Sequence, residues 1–385
     1  MVSETTFSQA VSMQCSACGK AYALNGIHTF SACCTKPLIV KYNTTDLSKE
    51  SLSPKTTLWR YEALLPVMDP DNIVSLGEGM TPVLALKRLS EKYGFEHLYL
   101  KDESGNPTGS FKARGMSVAI SKAKELGIQR CIVPTAGNAG GAMSAYCAKA
   151  GIEATVVMPA FTPPLFKEEC RNFGAHLIEI DGLIDACGKK VKEMREKDPD
   201  LFDMSTMKEP YRLEGKKTMG FEIAEQFDWQ LPDAIIYPTG GGTGLIGIWK
   251  AFEEMLALGW IAGKLPKMIA IQAENCAPIV SELNREAFAP KPSLANGLAV
   301  PYPFAKDLII EVLKQSKGSV CAVTEEELIS GTRELMAKEG VFAAPEGGAI
   351  WAGLKKLVRT GVLKRSDKLL LLNTGSAYKY MDNLA

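Results

Sequence analysis

The chain has 385 residues, 46% of them hydrophobic, and 44 basic residues balance 44 acidic ones, with an isoelectric point near 6.8. That length buries more than one core, and without a net positive field nucleic acid and anionic membrane surfaces are excluded as default partners. No basic-then-apolar leader and no run of 18 or more apolar residues is present, and most of the ten cysteines stand singly in apolar context, as Cys131, Cys147, Cys276 and Cys321 do. These features lead us to expect a cytoplasmic protein.

In chain order, NPTGSFKARG (106 to 115) puts Lys112 after a Pro-Thr-Gly turn and Phe111, at the start of an expected helix. Most lysines in such a place keep their charge in water, so an amine fixed there needs a chemical reason. Further along, RCIVPTAGN (130 to 138), ATVVMP (154 to 159), AHLIEID (175 to 181), DAIIYPTGGG (233 to 242), KMIAIQAEN (267 to 275) and DKLLLLNTG (367 to 375) each read as a buried parallel strand. Amphipathic stretches such as GAMSAYCAKAG lie between them, so the chain is α/β. Ligands of such sheets collect where strands end and helices begin. Three of these strands end in glycine-bearing turns, PTAGNAGG, PTGGGTG and NTGS.

The middle turn, Thr239-Gly240-Gly241-Gly242-Thr243-Gly244, is a phosphate cradle by composition: glycines let the backbone approach, and the following helix start favours negative charge. Gly242-x-Gly244-x-x-Gly247 also matches the dinucleotide fingerprint, which leaves a nicotinamide oxidoreductase as a rival. The acid expected about 20 positions on is missing, however, and the first at a strand end is Glu274. No Lys-Ser or Lys-Thr follows the glycines, so this is not a P-loop. The three histidines, His28, His97 and His176, lie outside the glycine turns. A phosphate cradle with a turn-placed lysine points to pyridoxal phosphate, which carries both a phosphate and an aldehyde for an amine to capture.

KDESGNPTGSFKARGM, PTAGNAGGAMSAYCAKAG, KEPYRLEGKKTMGFEIAEQ, PTGGGTGLIGIWKAF and LLNTGSAYKY, in this order, resemble the threonine synthase family of fold-type II pyridoxal-phosphate enzymes over roughly residues 70 to 380. Serine and threonine dehydratases and cysteine synthases share the lysine turn and glycine loop, whereas KEPYRLEGKKT resembles threonine synthases in particular. The resemblance implies that Lys112, preceded by Phe111, is the Schiff-base lysine and proton shuttle. It makes Asn138 the partner of the cofactor's ring hydroxyl, Gly240, Gly241, Gly242, Thr243 and Gly244 the phosphate loop, and Thr374 the residue facing the pyridine nitrogen. Arg212 matches the arginine that contacts the substrate phosphate, with Lys208 beside it. Lys216 and Lys217 are open between that role and a solvated face shared with Glu209 and Glu214. The substrate carboxylate should meet the backbone of Thr135, Ala136, Gly137, Asn138 and Ala139.

The implied activity is conversion of O-phospho-L-homoserine and water to L-threonine and phosphate. Three departures from the family pattern, Ala113 for aspartate, Ala299 for arginine and Gly348 for alanine, leave room for a relative acting on O-phosphoserine or another β- or γ-substituted amino acid, such as a cysteate synthase. A non-catalytic pyridoxal-phosphate or amino-acid sensor is a rival from another class. The implied architecture has two three-layer α/β/α domains with mostly parallel sheets, a large one of residues 46–112 and 213–385 and a small one of 113–212. The cofactor is expected in the cleft between them, in a homodimer. Residues 12–45 resemble a zinc-ribbon-like hairpin, either one in which Cys15, Cys18 and Cys34 hold zinc with Cys33 or water completing the set, or a metal-free, vestigial one; Ser31 stands where the third cysteine of the paired knuckles is expected.

Overall fold

The computed structural model of the chain describes residues 7–45 and 47–384. The first six residues of the N-terminal stretch, and residue 46, where the large domain is expected to begin, lie outside the described residues. The strands among those residues are β1 (Ala10–Cys15), β2 (Ala21–Tyr22), β3 (Leu38–Tyr42), β4 (Val83–Ala85), β5 (His97–Asp102), β6 (Arg130–Pro134), β7 (Glu153–Pro159), β8 (His176–Ile180), β9 (Phe202–Asp203), β10 (Ala234–Pro238), β11 (Lys267–Ala273), β12 (Ser319–Val323) and β13 (Lys368–Asn373). The chain forms two compact units. The first takes the described residues of Met1–Met80 with Lys112–Glu222 and Lys250–Ile261; the second takes Thr81–Phe111, Ile223–Trp249 and the described residues of Ala262–Ala385.

In the first unit, β2-β1-β3 form an antiparallel hairpin sheet and β8-β7-β6-β9 a parallel one. Ile132 and Val157 pack against Cys187 and Val191 of helix Ile184–Lys197. Their neighbours Cys131, Val133, Val156 and Met158, which point the other way, are equally buried. Strands covered on both faces read as continuous apolar runs, which is why these segments were legible.

The second unit holds a six-stranded sheet in the order β12-β11-β10-β13-β5-β4, parallel except for β4, which runs antiparallel to β5. Its central strand, KLLLLN, is buried from Leu369 to Asn373. Helix Pro345–Arg359 lies across β10 to β13 and against helix Glu325–Glu339. These two helices touch backbone to backbone: a Cβ on Gly348 would sit 2.0 Å from the Leu328 carbonyl oxygen, and one on Gly331 would sit 2.4 Å from that of Gly348. Gly348, the departure from the family's alanine, is therefore dictated by this helix crossing. No helix of the described residues is long and apolar enough to cross a membrane.

Candidate active site

The turn before Lys112 belongs to the second unit and is tied to the exit of β13. Asn106, almost fully buried, donates to the Glu103 carbonyl and carboxylate at 2.9 Å each. Thr108 adopts φ +59°, a left-handed conformation rare for a β-branched residue, and its carbonyl accepts from Lys379 Nζ at 2.7 Å. Ser376 N donates to the Gly109 carbonyl at 3.0 Å, Ser110 bridges Gly375, and Phe111 N donates to the Thr374 carbonyl at 3.0 Å. The hydrogen bonds around it hold this strained turn in place. Lys112 follows directly and opens helix Lys112–Glu125, half-buried.

The glycine loop leaves β10 at Pro238 and enters helix Thr243–Ala257. Gly242 has φ +78°, which only glycine adopts freely. A Cβ on Gly240 would meet the Gly297 carbonyl oxygen at 2.3 Å, and one on Gly244 would meet Tyr237 Oη at 1.9 Å. The Tyr237 hydroxyl is buried with no hydrogen-bond partner, and burial first, then Glu103, pushes its pKa well up. Glycines that cannot be replaced, a helix start and an unspent buried donor fit a phosphate group. Thr374, 6% exposed, follows β13 in the same unit.

In the first unit, Asn138 begins helix Asn138–Ala150, half-buried, after the Thr135–Gly137 turn, in which Gly137 N donates to Thr135 Oγ1 at 3.1 Å. The KEPYRLEGKK stretch is no solvated face: Glu209, Arg212, Glu214, Lys216 and Lys217 are all buried, while Lys208 is half-buried. Glu209 Oε2 accepts from Tyr211 N at 2.8 Å and Arg212 N at 3.0 Å, capping helix Tyr211–Gln226. The Arg212 guanidinium donates to the Met204 carbonyl, its Nε has no hydrogen-bond partner, and Glu209 Oε1 stands 3.9 Å away, also without one. Lys217 is engaged instead by Glu214 at 2.7 Å and Glu254 at 2.9 Å, over the Tyr42 ring. Burial alone would raise the Glu214 carboxyl, but the Lys217 and Lys250 charges outweigh it and hold it below the usual range.

Two mid-helix glycines bring Arg212 and Lys112 into neighbouring turns. A Cβ on Gly215 would lie 2.1 Å from the Arg114 carbonyl oxygen, and one on Gly115 would lie 3.0 Å from that of Arg212. The two helices therefore cross at their first turns, and Arg114 locks the crossing through Glu222, at 2.7 Å from Nη2. Sequence reasoning missed Arg114, Glu222 and Glu209. The glycines were the available signal, since glycine inside a helix costs roughly 1 kcal/mol and so marks a close approach.

In the hairpin, the sulfur atoms of Cys15, Cys18, Cys33 and Cys34 lie within 4.8 Å of one another. The turn closed by Thr35 N on the Ser31 carbonyl carries Cys33 into the cluster, 3.5 Å from Cys18 Sγ, while Ser31 Oγ accepts from Cys15 Sγ at 3.2 Å. That hydrogen bond lowers the Cys15 thiol to about 6. Four thiols at this separation fit one tetrahedral zinc with sulfur at about 2.3 Å.

The comparisons with known proteins define the class. The family model described as "Pyridoxal-phosphate dependent enzyme" matches residues 74–375, and the chain belongs to that family of enzymes, whose cofactor is pyridoxal phosphate. Within it, the chain is 34% identical over 380 residues to the threonine synthase of Methanocaldococcus jannaschii, covering 96% of this chain and 93% of that one. It is 36% identical over 377 residues to the threonine synthase of Methanosarcina acetivorans, covering 95% and 92%. Among solved structures, an O-ureido-L-serine synthase aligns with TM-score 0.66 at 23% identity over 79% of this chain and 91% of that one. A threonine deaminase from Solanum lycopersicum aligns with TM-score 0.66 at 20% identity over 79% and 87%. These two likenesses establish the fold-type II architecture.

Proposed function

We propose that the protein converts O-phospho-L-homoserine and water to L-threonine and inorganic phosphate. The observation that carries this reading is Arg212, a buried guanidinium with Nε unspent at a helix start, one helix crossing from Lys112, in a chain whose relatives are threonine synthases. Bound pyridoxal phosphate supplies the electron sink that makes the substrate's Cα and Cβ protons removable.

The chain's own residues do the rest. Gly240, Gly241, Gly242, Thr243 and Gly244 take the cofactor's phosphate, and Asn138 takes its ring hydroxyl. Thr374 offers the ring nitrogen a hydroxyl rather than a carboxylate, which leaves that nitrogen largely unprotonated. Phe111 N donates to the Thr374 carbonyl directly before Lys112 in the chain. Once displaced by the substrate's amine, the Lys112 amine removes the Cα proton and then a Cβ proton. Phosphate leaves Cγ with the C–O bonding pair, a proton returns to Cγ, water adds its hydroxyl at Cβ while its proton balances the released phosphate, and the last proton returns to Cα. Arg212, with Lys208, grips the departing phosphate, and backbone groups from Thr135 to Ala139 receive the α-carboxylate.

A zinc ion on Cys15, Cys18, Cys33 and Cys34 belongs to this reading, as do a homodimer and a cytoplasmic location. Half-buried Ala299, where the family carries arginine, favours a second reading in which the substrate is O-phosphoserine or another β-substituted amino acid. Turnover of the two phosphorylated amino acids, with threonine and phosphate both quantified, separates them. Equimolar threonine and phosphate from O-phosphohomoserine supports the first reading; phosphate release from O-phosphoserine alone overturns it.

A further inference from the structure

We propose that Glu209 and Arg212 form one anion subsite that takes up its tetrahedral oxyanion together with a proton, the ligand accepting one hydrogen bond from Arg212 Nε and another from the protonated Glu209 Oε1. This rests on the reading that Arg212 meets the substrate's phosphate, and it adds a second residue and a pH dependence to it.

The geometry leaves little freedom. Glu209 is 1% exposed and Arg212 2%. Glu209 Oε2 is committed to Tyr211 N and Arg212 N, so the carboxyl cannot swing away without orphaning two buried donors. Oε1 and Arg212 Nε face each other across 3.9 Å, too far for a hydrogen bond, and each lacks a hydrogen-bond partner. A polar atom that spans them must accept on the arginine side and either donate to a carboxylate or accept from a carboxylic acid. An arriving oxyanion has only acceptors to offer. The carboxyl must then carry the proton, because an ionised Glu209 would confront the ligand's negative charge in a buried site.

Burial, more than the surrounding charges, makes that proton available near neutrality. Burial is the largest influence and raises Glu209 to about 7, against the lowering effects of the Arg212 charge and of the two backbone donors. Asp203, on β9, adds to the rise; it is itself bonded by Ser205 N at 2.8 Å and lies 4.0 Å from Arg195 of helix Ile184–Lys197. Tyr211, on the same helix start as Arg212, is pushed up by burial and then by Glu209, so it stays neutral. Arg212 is lowered by burial, but from so high a value that it remains the cation of the site. Lys208 is the immediate neighbour in sequence.

Sulfate tests this in the holoenzyme, where the cofactor fills its own phosphate cradle, because sulfate stays dianionic across pH 6 to 9 and any titration belongs to the protein. In the wild type, sulfate should bind with uptake of about one proton at pH 8, read by calorimetry in two buffers of different ionisation heat. Its Kd should rise about tenfold per pH unit above about 7. Glu209→Gln keeps an acceptor for the helix cap and presents a permanent donor. Its sulfate affinity should therefore be flat with pH and, at pH 8, tighter than wild type by about tenfold. Arg212→Ala should lose the sulfate-dependent rise in Tm.

If that rise survives in Arg212→Ala, or is missing in the wild type, the anion reading of Arg212 fails and this inference with it. If the rise requires Arg212 but the wild type takes up no proton, Arg212 stands and Glu209 is only a helix cap. Proton uptake in the wild type decides this even if Glu209→Gln does not fold.

Discussion

Replacing Gly244 with alanine tests whether the glycine loop is a fitted cradle. A Cβ there would sit 1.9 Å from Tyr237 Oη and 2.4 Å from its Cζ, where ordinary contact begins at 3.4 Å. The overlap with the hydroxyl is thus about 1.5 Å, and Tyr237, 2% exposed on β10, has no space to retreat. The start of helix Thr243–Ala257 must move outward by a comparable amount and carry its N–H groups off the cofactor's phosphate. Losing one charge-assisted hydrogen bond costs about 1.5 to 3 kcal/mol, so the Kd for pyridoxal phosphate should rise roughly 10- to 150-fold. Titration of the cofactor onto apoprotein, followed by its absorbance, gives that number. Tyr237→Phe removes the hydroxyl and shrinks the overlap to about 1.0 Å, set by Cζ. Whatever this change does alone, the penalty of the alanine should be smaller in the phenylalanine background. Equal penalties in both backgrounds, or wild-type affinity in Gly244→Ala, would refute the packing argument.

Glu214→Ala strips the shared carboxylate from Lys217, Lys250 and Tyr42, bonded at 2.7, 2.9 and 2.8 Å, and should cost about 3 to 5 kcal/mol in urea unfolding because two buried ammonium groups are left on Glu254 alone. A loss below about 1 kcal/mol would mean that the cluster relaxes into water. For the hairpin, the metal-loaded protein should release about one zinc per chain to a chelator and melt at a lower temperature afterwards, and Cys33→Ser should weaken that binding, since Cys33 is the thiol the turn carries into the cluster. A fully active preparation without zinc would make the cluster vestigial.

The α/β class and the strands that position the site were legible because the parallel strands are buried on both faces and so stand out as unbroken apolar runs between turns. The glycine loop and the turn before Lys112 were legible for a different reason: each is a local device whose residues carry their own backbone demands, such as the positive φ of Gly242 and Gly109. What lay beyond reach is what depends on the meeting of distant segments. Arg114 and Glu222 pair across 108 positions. Lys217, read as a candidate phosphate contact or a solvated charge, is buried against Glu214 and Glu254 because Tyr42 of β3 covers it. Gly348, read as a departure bearing on substrate, answers to the Leu328 carbonyl. Glu209 looked like one charge of an alternating face; only its burial makes it a titrating group near neutrality.

The central claim is that Lys112 is the amine through which the chain holds its cofactor, and borohydride reduction of the holoenzyme followed by peptide mapping addresses it most directly. The account predicts a pyridoxyl group on the peptide containing Lys112, in near-stoichiometric yield, and on no other lysine. Lys112→Ala should bind the cofactor without becoming labelled and lose more than about a hundredfold in turnover, the lower end for a positioned acid-base group. A label on Lys208, Lys216 or any other lysine, or an unlabelled wild type that still turns over, would contradict it.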